Sequence, residues 1–531
     1  MNVLSTLSVY DLIVIAVYFV FIVIAGLHYR NSKDSEHYFL AGRNMSWPVI
    51  GFSMFAASIS SSTLIGNAGD AYSTGIAVFN YNLMSIFVII FVVWFILPLY
   101  LKSNIYTLPQ FLELRFDERS RYYFSIITIL VNIFLDGAGA LYAASLVMHI
   151  VFPHASLLLL AAIFAVIVAI YTIPGGLSAA IRIDLIQGIF LTLGSIVLTI
   201  ILISKGGADY VADQWNNGLM MHLVRPLDDL SVPWLGMIVG IPVLGFFFWG
   251  NNQQLMQRVL TAKSVDEGRK GVLLTGFLTL LTLFIIIIPG VMAHKFFPSL
   301  KNPDMVYPSL VIKMMPVGLV GFMLAALIAA LTSSLSGLLN SVATLVTMDF
   351  YVKIKKDATS KDTIRVARIT SIIVLIIAVV WAPMIGTKFS SLLKYYQEML
   401  TMLAPPVVAV FLLGIFWKRA TNDGAFWGLI GGAVLGVINL YSKLKFGVSI
   451  FGHIHFLLTV PFYLIWSMLI MIVVSLLTKK PDYTRISPYL WSKADFHKET
   501  LELRKVKAYD NYRYLSYGLI VLCLITLVVF A

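Results

Sequence analysis

The chain has 531 residues, 59% of them apolar and 12% charged, and its mean hydropathy is +0.88. These values lie far outside the soluble globular range. The formal charge of +12 would suit nucleic acid, but its distribution along the chain argues against that partner.

Apolar stretches long enough to cross a bilayer core recur from end to end. Fourteen are expected, near 9–29, 47–75, 80–101, 122–151, 156–177, 183–204, 234–255, 271–292, 316–349, 366–386, 389–417, 423–441, 455–477 and 512–531. The fold class is therefore an all-α polytopic membrane protein, because a helix satisfies its own backbone in lipid. With the N-terminus outside, the loops assigned to the inner face carry Arg30, Lys33, Arg43, Lys102, Arg115, Arg119, Arg121, Arg182, Arg258, Lys263, Arg269, Lys270, Lys353, Lys355, Lys356, Lys418 and Arg419, together with the basic stretch 479–513. The opposite loops carry fewer basic residues. That asymmetry follows the positive-inside rule: it reports topology, and it places both termini outside.

The first segment lacks a basic leader and a small-residue cleavage site, so it is expected to be retained as a helix. The second is unusual. Ser58, Ser60, Ser61, Ser62, Thr63, Gly66, Asn67, Gly69 and Asp70 crowd one span, which suits a helix broken halfway better than one facing lipid. The stretch 102–121 mixes aromatic and charged residues and reads as an interfacial helix or loop. Asp136 lies among small residues in FLDGAGALY; like Asp70, it is expected to bond a neighbouring helix or water, or else to be a proton or ion site. Asp184, in RIDLIQ at the entry to the sixth segment, is either an ion ligand, the partner of Arg182 or a cap at the inner surface. The seventh segment is interrupted at GFFFWGNNQQ, 245–254. Two interrupted segments five helices apart suggest a five-plus-five inverted-repeat core, over 47–417, with a site at the repeat interface.

The ninth segment sets Thr332, Ser333 and Ser334 side by side within AALIAALTSSLSGLLNS, 325–341. A lone serine pair ordinarily back-bonds to the preceding turn or packs between helices. With nearby carbonyls, these hydroxyls can also hold a small cation such as Na⁺, which points to ion-coupled transport. In the twelfth segment Gly424, Gly428, Gly432 and Gly436 form a smooth strip for close helix packing. Residues 478–511, basic and interleaved with Tyr483, Tyr489, Trp491 and Phe496, read as a cytoplasmic connector on the membrane surface. No polar connection is long enough for a typical folded domain, so 1–531 reads as one transmembrane domain. Cys523 is the only cysteine, so no intrachain disulfide can form.

Five motifs together are specific: YFLAGRNMSWPVIGFSMFAASIS (38–60), YTIPGGLSAAIRIDLIQ (171–187), QRVLTAK (257–263), LTSSLSGLLNSVATLVTMDFY (331–351) and AVFLLGIFWKR (409–419). On them the chain resembles the sodium:solute symporter family, near the bacterial sodium/galactose and animal sodium/glucose cotransporters. The resemblance implies one Na⁺ site between the second and ninth segments. Its donors would be the carbonyls of Ala56, Ile59 and Ala330 and the hydroxyls of Ser333 and Ser334, all oxygen, as a hard cation prefers. It also implies that Asp184 and Ser336 contribute to a second Na⁺ site, although Gly337 stands where a further ligand would be expected.

For the solute, the resemblance points to Ser58, Thr63, Asn82, Ser85, Gly245, Thr279 and Gln397. Only Ser85 and Gln397 keep the type expected for sugar binding. Phe248 and Trp249 match an aromatic inner gate, Tyr81 keeps an aromatic on the outer side, and Asn67 joins the polar set. A pocket of small hydroxylated groups without arginine argues for a sugar or polyol over an organic acid, with an amino acid or another small solute as the alternative. An intramembrane enzyme would need a motif such as HExxH or GxGD, and none is present; His149 and His294 stand alone near segment ends. A sodium channel, or a sensor derived from a transporter, is the remaining reading. The expected partners are Na⁺, the solute and the lipid bilayer of the plasma membrane, with no nucleic acid and no obligate protein partner.

Overall fold

A computed structural model describes residues 7–28, 34–59, 62–152, 154–388 and 392–531. Ser60 and Ser61, with Arg30 and Lys33 of the topology reading, lie outside the described residues, and of Ser62, Thr332 and Lys388 only the backbone is described. Helices are the only regular elements among the described residues, apart from three isolated bridges. Eleven helices are long and apolar enough to cross a membrane, or twelve if one bent pair counts as a single span. Two shorter apolar helices, Val9–Phe21 and Leu157–Ile170, fall where the first and fifth of the fourteen expected spans were assigned.

Seven elements matter most for the ion donors and their surroundings, while Asn80–Phe91 and the stretch Ile241–Phe246 with Phe247–Asn251 complete the cavity wall. Helix α1, Trp47–Ser58, carries Pro48 in its first turn, where the missing N–H costs nothing. It ends where Ile59 leaves helical geometry (φ −79°, ψ 69°), and α2, Thr63–Thr74, departs at 66°. Helix α3, Leu157–Leu202, turns sharply at Gly176. There φ is +60°, and a Cβ would lie 2.7 Å from the Tyr38 carbonyl oxygen, so only glycine fits. The interrupted seventh segment breaks at Asn252, whose side chain accepts from Leu255 N to cap α4, Gln253–Val259. Helices α5, Val265–Thr282, and α6, Leu319–Thr344, follow, then α7, Leu392–Phe416. Helix α1 packs against α3, α5 and α6.

The glycine strip lies in the helix Asn422–Phe446. A Cβ on Gly432 would come within 2.3 Å of Ser467 Oγ and 2.4 Å of Pro406 Cγ, so this helix meets both α7 and the helix Phe456–Leu477 at contact distance. Gly432→Val is expected to cost about 1–3 kcal/mol by overpacking, read as a lowered unfolding temperature of the purified protein.

On one face of the bundle, Arg121 (4% exposed) pairs with Asp349 (0%) at 2.6 Å. Asp349 also accepts from Thr107 Oγ1 (2.7 Å) and Ser125 Oγ (2.5 Å). Glu113 bridges Arg121 and Lys353. On the same face the connector is strapped down. Glu499 pairs with Arg269 of α5, Lys270 with Asp510 at 2.7 Å, and Trp491 N donates to Ile415 O, at the end of α7, at 3.0 Å. Burial raises the affinity of Glu499 for a proton, but hydrogen bonds and charge from Arg269 and its neighbours outweigh this and hold it below the usual glutamate range. Its contribution is therefore complete above the ordinary glutamate value and is lost only as pH falls through the depressed one. Limited proteolysis of the connector should accordingly be unchanged between about pH 8 and 6.

Candidate functional site

The five proposed Na⁺ donors sit on two elements that pack together. Ala56 and Ile59 close α1, each 2% exposed, and Ala330, Ser333 and Ser334 lie on α6 at 2%, 0% and 4%. The last turn of α1 closes with Ile59 N donating to Phe55 O at 3.0 Å, and the chain then bends away. Carbonyls at such a break lose their helical donors, and in a membrane that is tolerated only around a cavity or a ligand. Ser334 Oγ donates to Ala330 O at 3.2 Å. This is the back-bond of an ordinary helical serine, and it leaves the hydroxyl's lone pairs free to accept a cation.

Ser333 Oγ instead donates to Asp184 Oδ1 at 2.5 Å. Asp184 is 1% exposed, and its partner is Arg258, not Arg182: Arg258 Nη2 donates to Asp184 Oδ2 at 2.6 Å. The same guanidinium donates to Ser53 Oγ (3.1 Å) and Gln254 O (2.6 Å). Four helices, α1, α3, α4 and α6, thus meet in one buried polar knot beside the proposed ion donors. Ser336, the other residue linked to a second Na⁺, does not join it; its hydroxyl accepts from Thr172 Oγ1 at 2.9 Å.

The proposed solute residues converge. Ser58, Thr63, Asn67, Tyr81, Asn82, Ser85, Gly245, Phe248, Trp249, Thr279 and Gln397 all line one cavity, of about 760 Å³ including the open space at its mouth. Ile59 also lines it, so one of the proposed ion donors of α1 adjoins the cavity. Many hydroxyl protons here are already spent. Ser58 Oγ donates to Phe55 O (2.7 Å), Thr63 Oγ1 to Ser58 O (2.8 Å) and Thr279 Oγ1 to Thr275 O (2.8 Å). Asn82 Nδ2 donates to Thr282 Oγ1 at 2.8 Å. Gln397 Oε1 is buried with no partner among the described residues. Several wall hydroxyls are thereby left to act as acceptors, and among the described residues no Asp, Glu, Lys or Arg lines the cavity.

Tyr81 and Gln397 also border a second chamber of about 2500 Å³, open at its mouth. It is lined by Asp70, Asp228, Asp229, Glu398 and Lys443 among others. Asp70 thus faces the chamber and not the cavity. Asp136 lies beside Tyr396 of the cavity wall, and one of its carboxylate oxygens is buried without a hydrogen-bond partner among the described residues.

Sequence reasoning missed three members of the site. Thr282 and Tyr396 line the cavity, and each lies one helical step from a residue that was chosen. Arg258 is fully buried, although its place between polar Gln257 and the lysine of QRVLTAK suggested a loop at the inner surface.

A family model described as "Sodium:solute symporter family" matches residues 38–432. Sodium/glucose cotransporter 4 of Danio rerio is 30% identical, over 94% of this chain and 83% of that protein. A sodium/mannose cotransporter of Bos taurus is 32% identical, over 91% and 89%. Among solved structures, a Na⁺-coupled sialic acid symporter in a substrate-bound outward-open state superposes with a TM-score of 0.78 at 21% identity, covering 90% of this chain and 99% of that one; at that identity the likeness establishes the fold. With the family match covering most of its length, this chain belongs to the sodium:solute symporter family and is a multi-pass, sodium-coupled symporter.

Proposed function

We propose that the solute is a neutral sugar or polyol, imported across the plasma membrane with Na⁺ by alternating access, with Ala56, Ile59, Ala330, Ser333 and Ser334 as the ion's donors. The observation that carries this reading is the cavity wall: uncharged, rich in acceptors, and holding an unpartnered Gln397 oxygen. A polyhydroxylated molecule supplies the matching donors, and a buried acceptor left unmatched is costly. The glucose and mannose cotransporters among the relatives support the same class. Inward Na⁺ movement adds roughly 2.3 kcal/mol per 100 mV of membrane potential, enough for useful accumulation.

The orientation proposed from basic loops puts the Arg121–Asp349 face inside and the wide chamber outside. The cavity then opens outward through Tyr81 and Gln397, while Phe248 and Trp249 lie on its inner side. Residues 47–417 would form the repeat core, with both termini outside.

The test is thermal unfolding of the purified protein with D-glucose, D-mannose, myo-inositol, N-acetylneuraminate and L-proline, each in NaCl and in KCl. Stabilisation by a neutral sugar or polyol in Na⁺ alone is expected. Stabilisation only by the carboxylate or the amino acid would overturn the solute class.

A further inference from the structure

We propose that Tyr396 and Asp136 together bind one hydroxyl of the solute, Tyr396 donating to it and Asp136 accepting from it, so that the pair selects for a solute with a hydroxyl at that position. The inference rests on the sugar or polyol reading above and deepens it.

Among the residues that line the cavity, only Tyr396 and Gln397 carry buried polar side-chain atoms without a partner among the described residues. They are neighbours near the start of α7. The hydroxyls of Ser58, Thr63 and Thr279 each donate to a carbonyl of the chain, and Asn82 donates to Thr282. The unmatched hydrogen-bonding capacity of the wall is therefore gathered at one end of the cavity.

Asp136 stands behind that end. It sits in the wide turn Val131–Gly137 of the helix that starts at Glu118, beside Tyr396. One turn earlier on the same helix, Asn132 donates to Ser341 Oγ of α6 at 2.8 Å, so that polar residue is committed to packing. Asp136 is not. No basic side chain pairs with it among the described residues, and its Oδ2 is buried and unmatched. An acid at membrane depth without a basic partner calls for a functional explanation, and so does each buried polar atom that the fold leaves unmatched.

The two unmatched oxygens are complementary. Tyr396 Oη has a proton to give, and Asp136 Oδ2 has lone pairs to fill. An alcohol carries one donor and two acceptor positions, so a single hydroxyl satisfies both. A carboxylate has no proton to give to Asp136, and an ammonium has no lone pair to accept from Tyr396. Tyr396 is 6% exposed. Its hydroxyl is buried while the residue lines the cavity, so the ring is the wall and shields the pair from bulk water. A solute that turns the ring meets two oxygens with no other partner. An analogue without the hydroxyl leaves both unmatched, the situation in which a site discriminates most strongly.

The experiment pairs protein variants with sugar variants. Full-length protein in proteoliposomes takes up labelled D-glucose or D-mannose with Na⁺, and the parent sugar and its monodeoxy derivatives compete. In Tyr396→Phe the parent is expected to bind about 10-fold more weakly. Every derivative should weaken alike except the one that lacks the reaching hydroxyl, which is expected to bind both proteins equally. Unchanged affinities throughout, or one common factor for every derivative, would overturn the proposal, since Tyr396 would then be idle or only a support of the wall. Asp136→Leu is expected to repeat the pattern of Tyr396→Phe, whereas Asp136→Asn keeps an accepting oxygen and should keep most of the affinity. A loss in Asp136→Asn as large as in Asp136→Leu would assign Asp136 to a role of its charge and overturn the pair. The rise in unfolding temperature that Na⁺ alone produces is expected to be the same in all three variants, which shows the fold and the ion site intact. Tyr396→Phe and Asp136→Asn decide the matter should Asp136→Leu fail to fold. Absence of sugar binding to the unaltered protein would overturn the solute class itself, a result distinct from sugar binding that is indifferent to Tyr396.

Discussion

Replacing Ser333 and Ser334 together by alanine is expected to raise the Na⁺ concentration for half-maximal solute uptake by roughly 100-fold or more. Each hydroxyl is buried, at 0% and 4% exposure, so its oxygen is in no competition with bulk water. Removing one oxygen donor from a dehydrated cation costs about as much as losing a hydrogen bond to a charged group, about 1.5–3 kcal/mol. The single variants should differ. Ser334→Ala removes a hydroxyl otherwise bonded only to its own helix at Ala330 O, so its loss should fall on Na⁺ affinity. Ser333→Ala also strips a partner from Asp184, so it should lower thermal stability as well. Uptake rates in proteoliposomes over a series of Na⁺ concentrations, at constant ionic strength, give the shift. An unchanged sodium dependence in the double variant would remove both hydroxyls from the ion site.

Arg121→Ala should have the largest effect on conformation. Breaking a buried pair by deleting one partner costs about 3–5 kcal/mol, because the remaining charge stays buried. Here that charge is Asp349, which keeps only Thr107 and Ser125. Glu113 would lose one of its two cations as well. Because these groups join Leu108–Arg115, the helix from Glu118 and the end of the α6 span, the seal between them should loosen. Cys523 is the only thiol, and it is buried, so labelling has a low background. Thr347 is 0% exposed and its hydroxyl has no partner among the described residues, so Thr347→Cys is a benign reporter. Its reaction with a water-soluble maleimide should be at least about 10-fold faster in the Arg121→Ala background, for even 1.4 kcal/mol of opening gives that factor. Equal rates would mean that the pair does not close this face.

The helical architecture was legible because spanning helices announce themselves by length and apolarity. The count was less so. The sequence suggests separate spans at 156–177 and 183–204, and the stretch Leu157–Leu202 is indeed two helices joined at a kink where Gly176 leaves helical geometry, but the first of them is too short to count among the spanning helices. The interruption of the second segment was legible in its serines and glycines, and the chain does turn by 66° there. The polar residues proposed for the solute come from four separate stretches and share one cavity. Periodicity alone could not assemble them, since each hydroxyl reads locally as helix packing. Arg258 was illegible for a physical reason: a buried arginine needs a buried acid, and its acid lies 74 residues away in sequence. The neighbouring Arg182 was the simpler guess for Asp184, because local reading favours near partners.

The strapped connector has a mechanical consequence. It is pinned to α5 through Arg269 and Lys270 and to the end of α7 through Trp491. A yoke tied at both points limits how far those two helix ends can separate. Any swing between them must then pivot there, with the greater travel at the far ends, beside the wide chamber. Cutting the chain within 478–511 would free the pivot, turning a lever with a fixed fulcrum into two rods that drift apart.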